Sequence, residues 1–302
     1  MGGRKALENF MEAEVIRAGK IAAEVLEYGA VLIKLGANAL EVIDKTELEI
    51  KRLNAKPAFP VQIAINNIAA HCIPEKEIVF HEDDVVKLDV GVQVNGWIGD
   101  NARTIVFNNE NKKIAEAAEK ALESALKIIK PGIELGEIGG VIEQVIAGYG
   151  FKSVKNLSGH LLERYEQHAG LTIPNFDNKD RTKLEDGMLV AIEPFATNGV
   201  GLIEERKDSG IFKVVNIKNV RDNNARELLR FIINEYNALP FSRRWLLGKF
   251  PEFKVSFGLR LLKREGVLHE YSQLWEKGSG LVSQAEHTVL VKDPIIVTTR
   301  KI

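Results

Sequence analysis

Apolar residues recur at threes and fours through residues 7–28, where Leu7, Met11, Val15, Ala18, Ala22, Val25 and Leu26 fall on one side. That spacing predicts a helix. A second helix is expected over 38–53. The segment KPAFPVQIAIN (56–66) holds two prolines followed by alternation and reads as a loop entering a strand. The clearest β pattern is VVKLDVGVQVNGWIGDNARTIVF (85–107), two alternating runs around Asn95-Gly96, a pair suited to a type I′ hairpin turn. Residues 111–130 carry a strong amphipathic helix that ends at Pro131-Gly132, and a further helix is expected over 135–149. GMLVAIEPFA (187–196) reads as one buried strand. Helical spacing then dominates 222–270, and β alternation returns at SQAEHTVLVKD (283–293). The pattern is an α/β body interrupted by a helical insertion.

The chain has 302 residues, 45% hydrophobic and 27% charged, a balance that suits a globular protein with a large core. The 41 Lys and Arg nearly cancel the 42 Asp and Glu, so no global basic excess points to nucleic acid or to an anionic membrane. No run approaches the ~20 apolar residues of a membrane span. MGGRKALENF lacks the apolar stretch of a secretory signal, and Ala6 stands where a myristoylation motif needs Ser or Thr. The lone cysteine, Cys72, excludes an internal disulfide and reads as a packed small residue. A soluble cytoplasmic protein is expected.

The hairpin also places chemistry. With Asn95 and Gly96 as the turn, opposed residues sum to 191, so Asp89 faces Ala102 and Asp100 faces Gly91. The two aspartates become diagonal neighbours on one face, about 7–8 Å apart at most, with small residues between them. A solvated sheet face or a bound cation would each relieve their desolvation and mutual repulsion. Further ligand types follow: His160 after Ser158-Gly159, His168 eight residues later, Glu193 inside LVAIEPF and Glu286 inside QAEHTVLV. Carboxylates in strands this apolar are rarely buried without a partner or a metal. Oxygen ligands with one imidazole suit Mn, Fe, Co or Zn, and two divalent ions would balance four carboxylates. Such a pair supports hydrolysis.

Several stretches carry a resemblance: AFP…INNIAAH (58–71), VVKLDVGV (85–92), IGDNARTI (98–105), SGHLLERYEQHAG (158–170), AIEPF (191–195), LPFSRRWL (239–246) and QAEHTVLV (284–291). The sequence resembles the type II methionine aminopeptidases of the short archaeal kind. The resemblance implies an α+β "pita-bread" fold, in which two similar halves flank a curved antiparallel sheet and residues 1–302 form one catalytic domain. The separation of 93 positions from Glu193 to Glu286, with the helical subdomain at 222–270, favours type II over type I.

Carried over by position, the resemblance implies that Asp89, Asp100, His160, Glu193 and Glu286 hold two divalent ions (Co, Mn, Fe or Zn) that share a water. Glu193 would pass a proton to the leaving amine, His168 would stabilise the carbonyl, and His71 would position the peptide bond. Phe59, Pro240, Phe241, Tyr271 and Leu274 would line the methionine pocket. The implied activity removes initiator methionine from nascent proteins whose second residue is small. The implied partners are nascent N-terminal peptides, with ribosome docking left open, no membrane, no specific nucleic acid and a monomeric state. An X-Pro aminopeptidase or prolidase, and a non-enzymatic ribosome- or RNA-binding relative, are the rival readings.

The remaining candidates read as structural. His81 and His269 lie in polar contexts and are expected at the surface. His287 should point away from Glu286's face. Arg243 and Arg244 suit a packed or solvated helix face. Gly199 and Gly201 form a GxG without the strand-turn-helix setting of a phosphate loop. Across EERKDSGIF (204–212) the family pattern is loose, and Gly210 or Ile211 stands where related enzymes carry another histidine.

Overall fold

Helices α1 (Gly2–Leu32) and α2 (Ala39–Arg52) open the chain in a computed structural model that describes residues 2–300, with side chains from Phe10 onward. Asn38 caps α2 by accepting the Glu41 backbone N–H at 3.0 Å, and Lys51 and Arg52 complement its C-terminal end. Strands β1 (Lys56–Pro57), β2 (Gln62–Ile65) and β3 (Ile68–Ala70) lead to the hairpin of β4 (Val85–Val94) and β5 (Trp97–Val106). Its register is the expected one: Val94 pairs with Trp97, Gly91 with Asp100 and Asp89 with Ala102. Asn95 and Gly96 both take positive φ, +51° and +88°, as a type I′ turn requires. The Tyr165 ring lies against Gly96, where an added Cβ would come within 2.4 Å of it, and Tyr165 N–H donates to the Gly96 carbonyl at 2.8 Å.

The second half repeats the plan. Helices α3 (Lys112–Ile128) and α4 (Leu135–Gly148) precede β6 (Lys152–Ser153), β7 (Ser158–Leu162), β8 (Thr172–Pro174), β9 (Leu189–Ile192) and β10 (Phe195–Thr197). After the long β11 (Ile203–Val214) come α5 (Asn223–Tyr236), β12 (Phe241–Ser242), α6 (Arg243–Leu247) and α7 (Glu252–Arg264). Strands β13 (Leu268–Glu276), β14 (Val282–Gln284), β15 (His287–Leu290) and β16 (Ile296–Val297) complete the chain. Helical structure in the expected 222–270 segment therefore stops at Arg264, because Leu268–Glu276 is claimed by antiparallel pairing with β11.

Each half buries its own core. Val25, Ile43, Ile50, Ile63, Leu88 and Val90 fill one, and Leu122, Ile138, Ile142, Val190, Ile192 and Val289 fill the other. A third core lies within the helical insertion, around Leu228, Ile232, Phe241, Leu246, Leu259 and Leu262. Phe59, Ile98, Leu162, Leu189 and Leu290 form a cluster that spans both halves. The sheet pairings are antiparallel throughout the described strands. The architecture is the pita-bread fold, with curled antiparallel sheets between helices.

Two expected strands are each split in two. The 187–196 run breaks at Glu193-Pro194, because proline has no N–H for the ladder. The 283–293 run breaks at Ala285-Glu286, directly across: β9 pairs with β15, β10 pairs with β14, and Ala285 N–H reaches the Pro194 carbonyl at 3.3 Å. Both glutamates therefore sit at one shared corner of adjacent strands.

Candidate metal centre

The corner brings the two halves into contact. Glu286 N–H donates to the Ala102 carbonyl at 3.0 Å, and Asp100 exchanges two bonds with Thr288, its N–H donating to Oγ1 at 2.8 Å and its carbonyl accepting from Oγ1 at 2.7 Å. Asp100 comes from β5, His160 from the middle of β7, and Glu193 and Glu286 from the corner. Ligating atoms of Asp100, His160 and Glu286 all lie within 4.8 Å of one another. His160 Nε2 stands 3.3 Å from Glu193 Oε1 and 3.8 Å from Asp100 Oδ2. Asp89 is the diagonal neighbour of Asp100 across the hairpin.

Burial dominates the electrostatics. It raises the pKa of Asp89, Glu193 and Glu286 well above the ordinary carboxylate range, and their mutual repulsion with Asp100 adds to the rise. Asp100 is pushed up to about 7 by burial, against the opposing bond from Gln167. His160 is pushed down to about 4 by the same burial, so its ring is neutral. Such a set is costly without a counter-charge. Asp89 Oδ1 and Asp100 Oδ1 are buried with no hydrogen-bond partner, free acceptors that face no protein donor. Four carboxylates, one neutral imidazole and orphaned acceptor atoms together fit divalent cations.

A layer of amides surrounds these groups and is not apparent from sequence reasoning. Gln62 Nε2 donates to Asp89 at 3.4 Å, Gln167 Nε2 to Asp100 at 3.3 Å and Gln284 Nε2 to Glu286 at 3.1 Å. All three glutamines are buried. Each leaves its carboxylate further acceptor capacity while fixing its orientation. The one signal in the chain was Gln284, two residues before Glu286 and so on the same strand face, whereas the pairing of Gln62 with Asp89 is a matter of strand register.

A cavity of about 290 Å³ opens beside the cluster, lined by His71, His160, His168, Glu193, Phe195 and Leu274 among others. The rings form a chain. His168 meets His160 edge-on at 4.5 Å, Tyr271 lies 6.5 Å from His168 and 5.0 Å from His71, and exposed His269 stacks edge-on against Tyr271 at 5.0 Å. His71 takes φ +56°, a strained conformation for a residue with a Cβ, and its Nδ1 lies 3.2 Å from the Ser272 carbonyl. A carbonyl only accepts, so Nδ1 carries the proton. Burial pushes His71 down to about 4 and His168 down to about 2, so both rings are neutral.

The expected methionine-pocket residues separate. Leu274 lines this cavity and Tyr271 stands among its histidines. Phe59 is buried over Gly91, opposite Asp100. Pro240 lines a different cavity between the body and the insertion, and Phe241 is buried in the insertion core, stacked on Tyr236. LPFSRRWL thus packs the insertion onto the body. Along 204–212, β11 shifts register twice against β13, and Ile211 pairs with Ser242. His81 is exposed, and His287 faces away, its Nδ1 2.9 Å from Thr299 Oγ1. Gly199 and Gly201 belong to a loop that wraps the buried carboxylate of Glu276.

The model of the metallopeptidase family M24 matches residues 13–293. The chain is 45% identical over 290 residues to a methionine aminopeptidase of Pyrococcus abyssi, covering 95% of this chain and 98% of that one. It is 43% identical over 297 residues to a methionine aminopeptidase of Archaeoglobus fulgidus, covering 98% and 100%. The solved methionine aminopeptidase of Thermotoga maritima shares the fold with a TM-score of 0.70 at 23% identity, covering 96% of this chain and 97% of that chain. No described helix is long and apolar enough to cross a membrane. A match over nearly the whole length, with buried carboxylates and an imidazole gathered where a metallopeptidase needs them, shows that the chain belongs to metallopeptidase family M24.

Proposed function

We propose that this protein is a methionine aminopeptidase that hydrolyses the first peptide bond of nascent chains beginning with methionine and a small second residue. The observation that carries the reading is the buried meeting of Asp100, His160, Glu193 and Glu286 at the mouth of a histidine-lined cavity. The methionine aminopeptidases of Pyrococcus abyssi and Archaeoglobus fulgidus, similar over nearly the full length, support it. Asp89, Asp100, His160, Glu193 and Glu286 would hold two divalent ions drawn from Co, Mn, Fe and Zn. When bound, such ions supply Lewis acidity and make water nucleophilic near neutral pH.

The chain's own groups do the rest. Glu193, with its raised proton affinity, takes a proton from the attacking water and delivers it to the leaving amine. His71 holds its proton on Nδ1, so Nε2 is an acceptor for the N–H of the scissile amide. His168 is neutral and donates to the carbonyl oxygen as charge develops there. Leu274 and Tyr271 offer an apolar wall for the thioether side chain. The substrates are N-terminal peptides in the cytosol.

The test is methionine release from a Met-Ala-Ser peptide by chelator-stripped protein, before and after adding Co or Mn. Asp100→Asn and Glu193→Gln should each lower release by at least about 10²-fold while the protein stays folded. Release from X-Pro peptides but not from Met-Ala-Ser would refute the assignment.

A further inference from the structure

Glu193 sits just beyond the point where its sheet can hold it. Strands β7 and β9 pair from Leu162 opposite Leu189 to His160 opposite Ala191, and the pairing ends there. Carried on, the same register would set Leu157 against Pro194, which has no N–H to give. Glu193 and Pro194 belong to neither β9 nor β10, so the backbone that bears Glu193 lies outside the ladder. His160 stands at the last paired position, and its Nε2 is 3.3 Å from Glu193 Oε1. The spacing of these two side chains therefore depends on what ties the strands together past the end of the ladder.

That tie is Asn175. It directly follows β8, which pairs with the other edge of β7, and it is buried. Its Nδ2 donates to the Leu157 carbonyl at 3.1 Å and to the Glu193 carbonyl at 3.2 Å. A side-chain amide has two N–H donors, and both are used. Two carbonyl oxygens cannot bond each other, but one NH₂ between them makes a bridge. The same contacts settle which way the amide points, since turning it over would set its oxygen against two acceptors. Its Oδ1 is buried with no hydrogen-bond partner, a cost that the two bonds of the NH₂ offset. The side chain thus stands in for a rung that Pro194 removes.

We propose that Asn175 is a positioning residue of the metal centre. Its amide fixes the Glu193 backbone against the start of β7, and so sets the His160–Glu193 spacing on which one of the two ions depends. It acts through the backbone of Glu193 rather than on the ligand side chains. The inference rests on the metal-centre reading above.

Calorimetric titration of the chelator-stripped full chain with Mn tests it. Asn175→Leu keeps the size and removes both donors, and Asn175→Asp sets a carboxylate against the two carbonyls. In each variant one binding step should weaken about tenfold or more, and the other should stay within about twofold. In a Glu193→Gln background the same substitutions should have little further effect on Mn binding, because the group they position is already altered. Equal weakening of both steps, no change in either, or an effect of full size in the Glu193→Gln background overturns the proposal. So does failure of both variants to fold when stripped of metal, which would make Asn175 a folding residue. If the unaltered protein does not take up Mn in two steps, the dinuclear reading fails and this inference with it. If it does so and releases no methionine, the substrate assignment alone fails.

Discussion

Replacing Glu276 by glutamine isolates one electrostatic device of the fold. The Glu276 side chain is fully buried, and its two oxygens accept four backbone N–H groups. Oε1 takes Val200 at 2.6 Å and Gly201 at 3.0 Å, and Oε2 takes Gly278 at 2.7 Å and Gly280 at 3.0 Å. Burial acts to raise its pKa, but these four donors outweigh it and leave the group below its ordinary 4.5. In Glu276→Gln one oxygen becomes an NH₂ that faces two N–H donors, whichever way the amide turns. Two charge-assisted bonds are lost and their donors are left without acceptors, at about 1–3 kcal/mol each, so roughly 2–6 kcal/mol in all. At about 2–4 °C per kcal/mol that is a fall in Tm on the order of 10 °C. Urea and thermal unfolding of the two proteins at pH 7 measure it. The lowered pKa sets the sign with pH: the advantage of Glu276 is complete above about 4.5 and is lost as pH falls through the folded value. A loss under about 1 kcal/mol at pH 7, or a gap that widens on acidification, would refute the reasoning.

Asp100 has a folded pKa of about 7 against an ordinary 3.8, so its contribution to metal-free stability is fully present below about 3.8 and is lost as pH rises through about 7. Chelated wild type should therefore lose Tm between pH 5 and pH 8 more steeply than chelated Asp100→Asn, and added divalent metal should remove the difference. Gly91→Ala should cost about 1–3 kcal/mol on denaturant unfolding, because the new Cβ would stand 2.1 Å from the Phe59 ring. His71→Ala should lower kcat on Met-Ala-Ser by about 10²-fold with little change in Tm, because its Nε2 is offered to the reacting amide rather than to the protein. A proportional loss of Tm would make His71 a packing residue instead.

The sequence was most legible where local rules and chemistry coincided. Alternation around Asn95-Gly96 determined both the hairpin and the diagonal placement of Asp89 and Asp100, because strand period and turn type leave no freedom in register. The shared corner was harder to read. Hydrophobicity treats LVAIEPFA as continuous, and only Pro194 marked the break that seats Glu193 beside His160. The glutamine layer was hidden because a buried amide and a surface amide look alike in sequence. The GxG of Gly199 and Gly201 lacks the setting of a phosphate loop, yet it lies against an anion, the Glu276 carboxylate supplied from 75 residues onward. Pro240 and Phe241 could not be placed from the chain alone, because whether LPFSRRWL faces the histidines or Glu47 depends on how the insertion packs against α2.

The β4–β5 hairpin constrains how this gene can change. A codon gained or lost within either strand, between its aspartate and the turn, would rotate one carboxylate to the far side of the sheet while leaving its twin in place. The usual refuge for such length changes is the turn, but Tyr165 covers Gly96, and Arg164 Nε holds the Asn95 carbonyl at 2.8 Å. The stretch from Asp89 to Asp100 is therefore locked in length. Its lineage can drift by substitution at Val90, Val92 or Ile98, but insertions and deletions there should be purged.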